Sequence, residues 1–135
     1  MADVGSGAGL PGIVIALVKP RSAITLIEPI PRRAQFLREI CEELGIKATV
    51  LKSKSEKVKS TYDLVTARAV APLPKLISST WHLLTPGGRL LAIKGESAGT
   101  EMAETSLPAD GKMTLHEINF KDLPLARVVE VSKAG

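Results

Sequence analysis

From residue 1 to residue 94 the chain alternates short β-branched runs with longer amphipathic segments, and that alternation restricts the architectures open to it. Residues 1–4 read as a strand stump followed at once by glycines. Residues 10–18 read as a helix, with Pro11 tolerated in its first turn. The run AITLIE at 23–28 predicts a buried strand, and 47–52, 62–66 and 89–94 predict three more. Between them, 31–44 and 73–84 have helical periodicity, stopped by Gly45 and by Pro86-Gly87-Gly88. On the helix over 31–44, Phe36, Leu37, Ile40, Cys41 and Leu44 are expected to face inward. A weaker helix over 97–106 precedes strands at 113–120 and 125–131. The loop between those strands is too short for a helical crossover, so they are expected to pair antiparallel. The expectation is an α/β fold in one domain, 1–135: a mostly parallel twisted sheet wrapped by helices, with a truncated first strand and an antiparallel C-terminal strand.

Charge is the one compositional feature that bears on partners. The net charge is +4, and 19–59 hold ten Lys or Arg against five Glu. A basic surface suits a polyanion, although a solvated face accounts for it equally simply. The run Lys52-Ser-Lys-Ser-Glu-Lys-Val-Lys59 is the best candidate for a phosphate-contacting edge. Cys41 is the sole cysteine, so no internal disulfide can form, and a reducing compartment fits. The apolar run 10–18 is far too short to span a bilayer, and a cytoplasmic location without a membrane partner is expected.

The sharpest local signal is Asp3-Val-Gly5-Ser-Gly7-Ala-Gly9-Leu10-Pro11-Gly12. A glycine turn between a first strand and a first helix lets a ligand approach the backbone. Dinucleotide binders place a third glycine where Leu10 stands, and a pyrophosphate needs a bare helix N-terminus. S-adenosylmethionine has no phosphate; it carries a carboxylate, an ammonium and a sulfonium, which an acid at Asp3 suits. Glu28, nineteen residues after Gly9 at the end of the second strand, can accept ribose hydroxyls. That role is common to nicotinamide and adenosylmethionine binders, so Glu28 does not separate them. A tight turn without ligand is the plainer alternative, and the two flanking acids weigh against it.

The segments DVGSGAGLPGI, LIEP-x-x-x-R-x-x-FL, YDLVTARAVAPL and LTPGGRLLAIKG, in this order, resemble the family of 16S ribosomal RNA guanine-N7 methyltransferases, also called glucose-inhibited division protein B. The resemblance runs over essentially the whole chain; the T-A-R-A-V-A-P-L segment and the L-P-G after the loop are more specific than the glycines. It implies a class I (Rossmann-like) methyltransferase sheet, S-adenosylmethionine as cofactor, and 16S rRNA or the small ribosomal subunit as partner. It further implies that Gly5 and Leu10 contact the cofactor, that Glu28 binds the ribose, that Ser55 and Glu56 contact the adenine, and that Arg68 is a cofactor-binding arginine. Family members carry a largely helical region ahead of the glycine loop, whereas this chain starts two residues before Asp3.

Transfer to guanine N7 removes no proton, so no general base is needed and positioning supplies most of the effect. The residues agree. His82 and His116 have no Ser, Cys or Asp arrangement around them, and no metal-ligand spacing is present. Pyrimidine C5 chemistry would need a cysteine nucleophile, whereas Cys41 lies on an apolar stripe. Exocyclic-amine chemistry would put an Asn or Asp before Pro-Pro where Ala67-Arg68-Ala69 stands. Guanine N7 and O6 invite Arg or Lys donors. Arg68 and Lys94, at the ends of neighbouring strands, are therefore the candidate catalytic pair, one holding the guanine edge or a phosphate and the other bracing the cofactor side. A methyltransferase for another substrate, and a silent domain that binds cofactor or RNA, remain the alternatives.

Overall fold

A computed structural model describes residues 1–6, 11–68, 71–119, 121–122 and 124–135. Ala2–Val4 form β1, whose three residues are all buried. The strand is buried because it lies inside the sheet, with β2 (Ile24–Ile27) bonded on one side and β4 (Tyr62–Arg68) on the other. β3 (Ala48–Leu51) closes one edge. On the other side come β5 (Leu84–Lys94), β7 (Ala126–Lys133) and β6 (Gly111–Ile118), giving the order β3-β2-β1-β4-β5-β7-β6. β1 to β5 are parallel; β7 runs antiparallel to both β5 and β6. The expected final pair thus forms, and β7 also inserts beside β5.

Register fixes where the site residues fall. Val4 pairs with Ile27 and Ala67, Ile27 with Leu51, and Ala67 with Ala92. Gly5, Glu28 and Arg68 each stand one residue past that row. Connections from β1 lead toward β3, those from β4 lead toward β5, and the order reverses between β1 and β4. Parallel sheets place ligands at the carboxyl side of such a reversal.

The strands present apolar residues to both faces, as buried parallel strands do. Ile13 and Ala16 of α1 (Gly12–Val18) and Leu37 and Cys41 of α2 (Pro31–Leu44) pack with Ile24 and Leu26 in one cluster. Leu73, Leu76 and Ile77 of α3 (Leu73–Thr80) and Ala98 of α4 (Ala98–Ala103) join Ala2, Val4, Val65, Leu90 and Val129 in the other. Val, Leu, Ile and Ala dominate both clusters, in keeping with 3% aromatics.

Several boundaries differ from the sequence expectation, each for a local reason. The helix expected over 10–18 has its N-cap at Pro11 and starts at Gly12. The helix expected over 73–84 ends at Thr80, whose hydroxyl donates back to Leu76 O, and a 3-10 turn, Trp81–Leu83, follows. Lys133 closes that turn by donating to Trp81 O and Leu84 O. Pro86-Gly87-Gly88 is therefore not the helix stop. It lies within β5, where pairing jumps from Tyr62–Leu84 to Leu64–Arg89 and the extra residues bulge out, with Gly87 at φ +80°. The inward face of α2 is narrower than its apolar stripe: Ala34, Leu37 and Cys41 are buried, whereas Phe36 and Leu44 are exposed. The weak helix over 97–106 shrinks to α4. No helix among the described residues is long and apolar enough to cross a membrane.

Candidate functional site

Asp3 organises the start of the site. Alternation along β1 sends Ala2 and Val4 into the α3 cluster and turns Asp3 toward α1. Its Oδ2 accepts the Gly12 N–H at 3.1 Å, and its Oδ1 accepts the Thr66 hydroxyl of β4 at 2.8 Å. The Ser6 hydroxyl donates to Asp3 O at 2.9 Å. One wholly buried carboxylate thus ties β1 to the strand across the reversal and to the beginning of α1. Glycine suits position 12, because a Cβ there would lie 2.5 Å from Leu26 Cδ2 and 2.7 Å from Asp3 Oδ2 and would force both side chains to shift. Burial pushes the Asp3 carboxyl above its ordinary range, against the opposing pull of its bonds from Thr66 and Gly12. The sequence pattern suggests this carboxylate beside a ligand cation; the structure turns both its oxygens to the protein.

The chain leaves β1 through Gly5, at φ +67°, with the Gly5 and Ser6 N–H groups both donating to Ile27 O. Gly7, Gly9 and Leu10 lie outside the described residues. Glu28 is 2% exposed at the end of β2. Its Oε2 accepts the Ile30 N–H at 2.9 Å, and its own N–H donates to Leu51 O, which locks the ends of β2 and β3 together. Past β3, Ser55 and Glu56 begin a 3-10 turn, Ser55–Lys57, in which the Ser55 hydroxyl donates to Glu56 Oε1 at 2.9 Å. The Glu56 backbone N–H and then Ser55 hold the Glu56 carboxyl below its usual range, helped by Lys54 and Lys75. His82 Nε2 stands 3.0 Å from Ser55 O and 3.1 Å from Val58 O. Both partners are carbonyls, so that nitrogen carries the hydrogen and tethers the turn.

These elements enclose a recess of about 180 Å³ at the carboxyl edge, lined by Gly5, Ile27, Ser55, Glu56 and Ala71, with Lys54 and Lys75 at its sides. It unites Gly5, Ser55 and Glu56; Ile27 and Pro29, on either side of Glu28, line it, whereas Glu28 itself does not. Arg68, exposed at the end of β4, is not on its lining and has no ion-pair partner among the described residues. An open groove of about 600 Å³ lies beside it, lined by Ala71, Pro72, Ile93, Lys94, Gly95 and Glu101. A further hollow, by Ala16, Pro20 and Lys47, is lined by none of the predicted site residues.

The sequence expectation puts Lys94 at the carboxyl edge as one of a candidate catalytic pair; it lines the open groove, with a side chain only 6% exposed. Its Nζ donates to Ala71 O at 2.6 Å and stands 3.1 Å from Glu101 Oε1. Glu101 also accepts the Leu73 N–H at 2.7 Å and the Ser97 hydroxyl. Ser97 is the main cause of a lowered Glu101 carboxyl pKa; the Leu73 N–H and Lys94 add to it against the upward push of burial. Lys94 therefore braces the segment after β4 instead of facing solvent. Thr66 and Glu101 escape a sequence reading because each acts across elements, over separations of 63 and 28 residues, and no local spacing marks them. Among the described residues no group of His, Cys, Asp and Glu gathers to hold a metal ion.

The family profile described as rRNA small subunit methyltransferase G matches residues 1–124. The chain belongs to the rRNA small subunit methyltransferase G family. The protein of that name from Acidothermus cellulolyticus is 54% identical over 101 residues, covering 74% of this chain and 46% of the relative. The chain spans about half the length of the curated relatives it matches. The fold is that of class I methyltransferases. A methyltransferase from Pyrococcus furiosus superposes with a TM-score of 0.72 at 15% identity, over 99% of this chain and 74% of that one. A putative methyltransferase from Streptococcus mutans, solved with S-adenosylhomocysteine, gives 0.65 at 15% identity, over 98% and 86%. The glycine turn, the acid closing β2 and the turn after β3 thus sit on a methyltransferase G scaffold.

Proposed function

We propose that all 135 residues form the S-adenosylmethionine-binding domain of an enzyme that methylates N7 of a guanine in 16S ribosomal RNA, working in the cytoplasm on the small ribosomal subunit. The observation that carries this reading is the recess at the β1–β4 reversal, bounded by Gly5, the end of β2 and the Ser55–Glu56 turn. The groups present fit a nucleoside. Glu28 is poised for ribose hydroxyls, Glu56 is an ionised acceptor for the adenine amine, and the turn at Gly5 admits a ligand to the backbone. Pockets for whole drug-sized ligands run to roughly 300 Å³ or more, so the recess takes the nucleoside end of the cofactor. Gly7, Gly9 and Leu10, which follow in the sequence, are assigned to the cofactor on the resemblance. Asp3 acts on the cofactor indirectly, by fixing the loop's exit at Gly12.

When bound, the cofactor supplies an electrophilic methyl group. What the residues supply is orientation. Guanine N7 offers its lone pair without losing a proton, which suits a site with no general base. Arg68, at the end of β4, is the donor best placed for a guanine O6 or a phosphate. Lys94 holds the segment that follows Arg68.

Calorimetry with S-adenosylhomocysteine and NAD tests the cofactor, and tritium-methyl transfer to undermethylated small subunits tests the activity. We expect binding of the first ligand only, and Glu28→Gln to weaken it by about 10- to 100-fold, the loss of a charged hydrogen bond. Arg68→Ala is expected to lower transfer while binding persists. A preference for NAD overturns the reading; binding without transfer reduces it to a silent cofactor-binding domain.

A further inference from the structure

The recess and the groove share one wall. Ala71 lines both, and it is among the few residues that connect Arg68 at the end of β4 to α3. The way this wall is held is specific. Lys94 Nζ takes Ala71 O from the β5 side, and Glu101, reaching across from α4, takes the N–H of Leu73 at the first position of α3. Pro72, the N-cap of α3, offers no side-chain cap, so the Glu101 carboxylate acts as that cap from a distance. Lys94 and Glu101 then bind each other, 6% and 15% exposed. A carbonyl and an N–H two residues apart are thereby gripped by an ion pair with little access to water.

A stability role alone would not need this geometry. Exposed ion pairs contribute little, and buried ones often do no better than apolar replacements. What such a pair does well is fix one arrangement among several. We propose that Lys94 and Glu101 are positioning residues: they set the wall at Ala71 so that a nucleobase in the groove meets the cofactor in the recess at the reacting distance. The inference rests on the functional reading above. Both side chains also line the groove, but the role assigned to them is to hold Ala71 and Leu73, and the recess lining comes mostly from β1, β2 and the turn after β3.

Single-turnover methyl transfer and calorimetry with S-adenosylhomocysteine on the parent chain, Lys94→Met, Lys94→Arg and Glu101→Gln test it. Lys94→Met is expected to lower the transfer rate about 10- to 100-fold, the scale of a misplaced reacting group, with cofactor affinity changed less than about threefold. Lys94→Arg, which can still donate to both Ala71 O and Glu101, is expected to recover most of the rate. Glu101→Gln keeps an acceptor for Leu73 but loses the charge, and is expected to fall between them. Hydrogen exchange at the Leu73 amide is expected to quicken in Lys94→Met, and the melting temperature to fall, because the largely buried Glu101 carboxylate is left without its cation. A Lys94→Met chain with parental turnover overturns the proposal, as does one whose cofactor affinity falls as far as its rate. A parent chain that neither binds nor transfers overturns the functional reading and this inference with it.

Discussion

Asp3 shows how one buried side chain can matter more through its bonds than through its charge. Both oxygens are engaged, and the carboxyl is pushed above its ordinary 3.8 by burial. The sign of the linkage follows from that direction. The folded chain keeps this proton to higher pH than the unfolded chain, so the group favours folding most below its unfolded value. That advantage is lost as pH rises through the folded value. Asp3→Asn removes the titration while leaving an oxygen for the Gly12 N–H. The stability of the parent relative to Asp3→Asn, measured by urea unfolding between about pH 3 and 7, is expected to fall with rising pH. A difference that grew with pH would contradict the burial argument. Gly12→Ala tests the same corner sterically. With Leu26 and Asp3 at 2.5 and 2.7 Å from the added methyl, a loss of about 1–3 kcal/mol is expected.

At the scale of elements, much is legible in the sequence and the failures are instructive. Period-two runs and helical stripes locate β2, α2 and β4 because burial follows pattern there. The acid at the end of β2 is legible from its spacing after the glycine loop, the pair after β3 only through the family resemblance, and the recess brings that pair beside Gly5. Pro86-Gly87-Gly88 misleads because turn residues look alike whether they stop a helix or bulge a strand. Only the pairing of Leu64 with Arg89 shows which is the case. Position at a strand end places Lys94 on the carboxyl edge but does not say that a partner such as Glu101 waits on the next helix. Phe36 and Leu44 mislead because an apolar stripe can be wider than the surface that covers it. The bulge invites its own test. Gly87 has open space around it but sits at φ +80°, so Gly87→Ala is expected to cost about 1–2 kcal/mol from backbone strain alone, read by thermal or urea unfolding.

For the molecule as a whole, positive charge lies beside the recess. Lys54 and Lys75 flank the recess, and Lys52, Lys57 and Arg68 are exposed nearby in sequence. Neutralising Lys54 and Lys75 together is expected to reduce the slope of log affinity against log salt by roughly one to two for a single-stranded RNA probe, at about 0.7 for each phosphate left without its lysine. An unchanged slope would leave these lysines as solvated charge. The sheet carries one last implication. Sliding β1 by a single step against β4 would invert which side of the sheet its own side chains face. The Thr66 hydroxyl can meet Asp3 in only one of those alignments. The contact therefore works as a keying pin during assembly. A chain that closed one notch out would bury a naked carboxylate, an error expensive enough to undo itself.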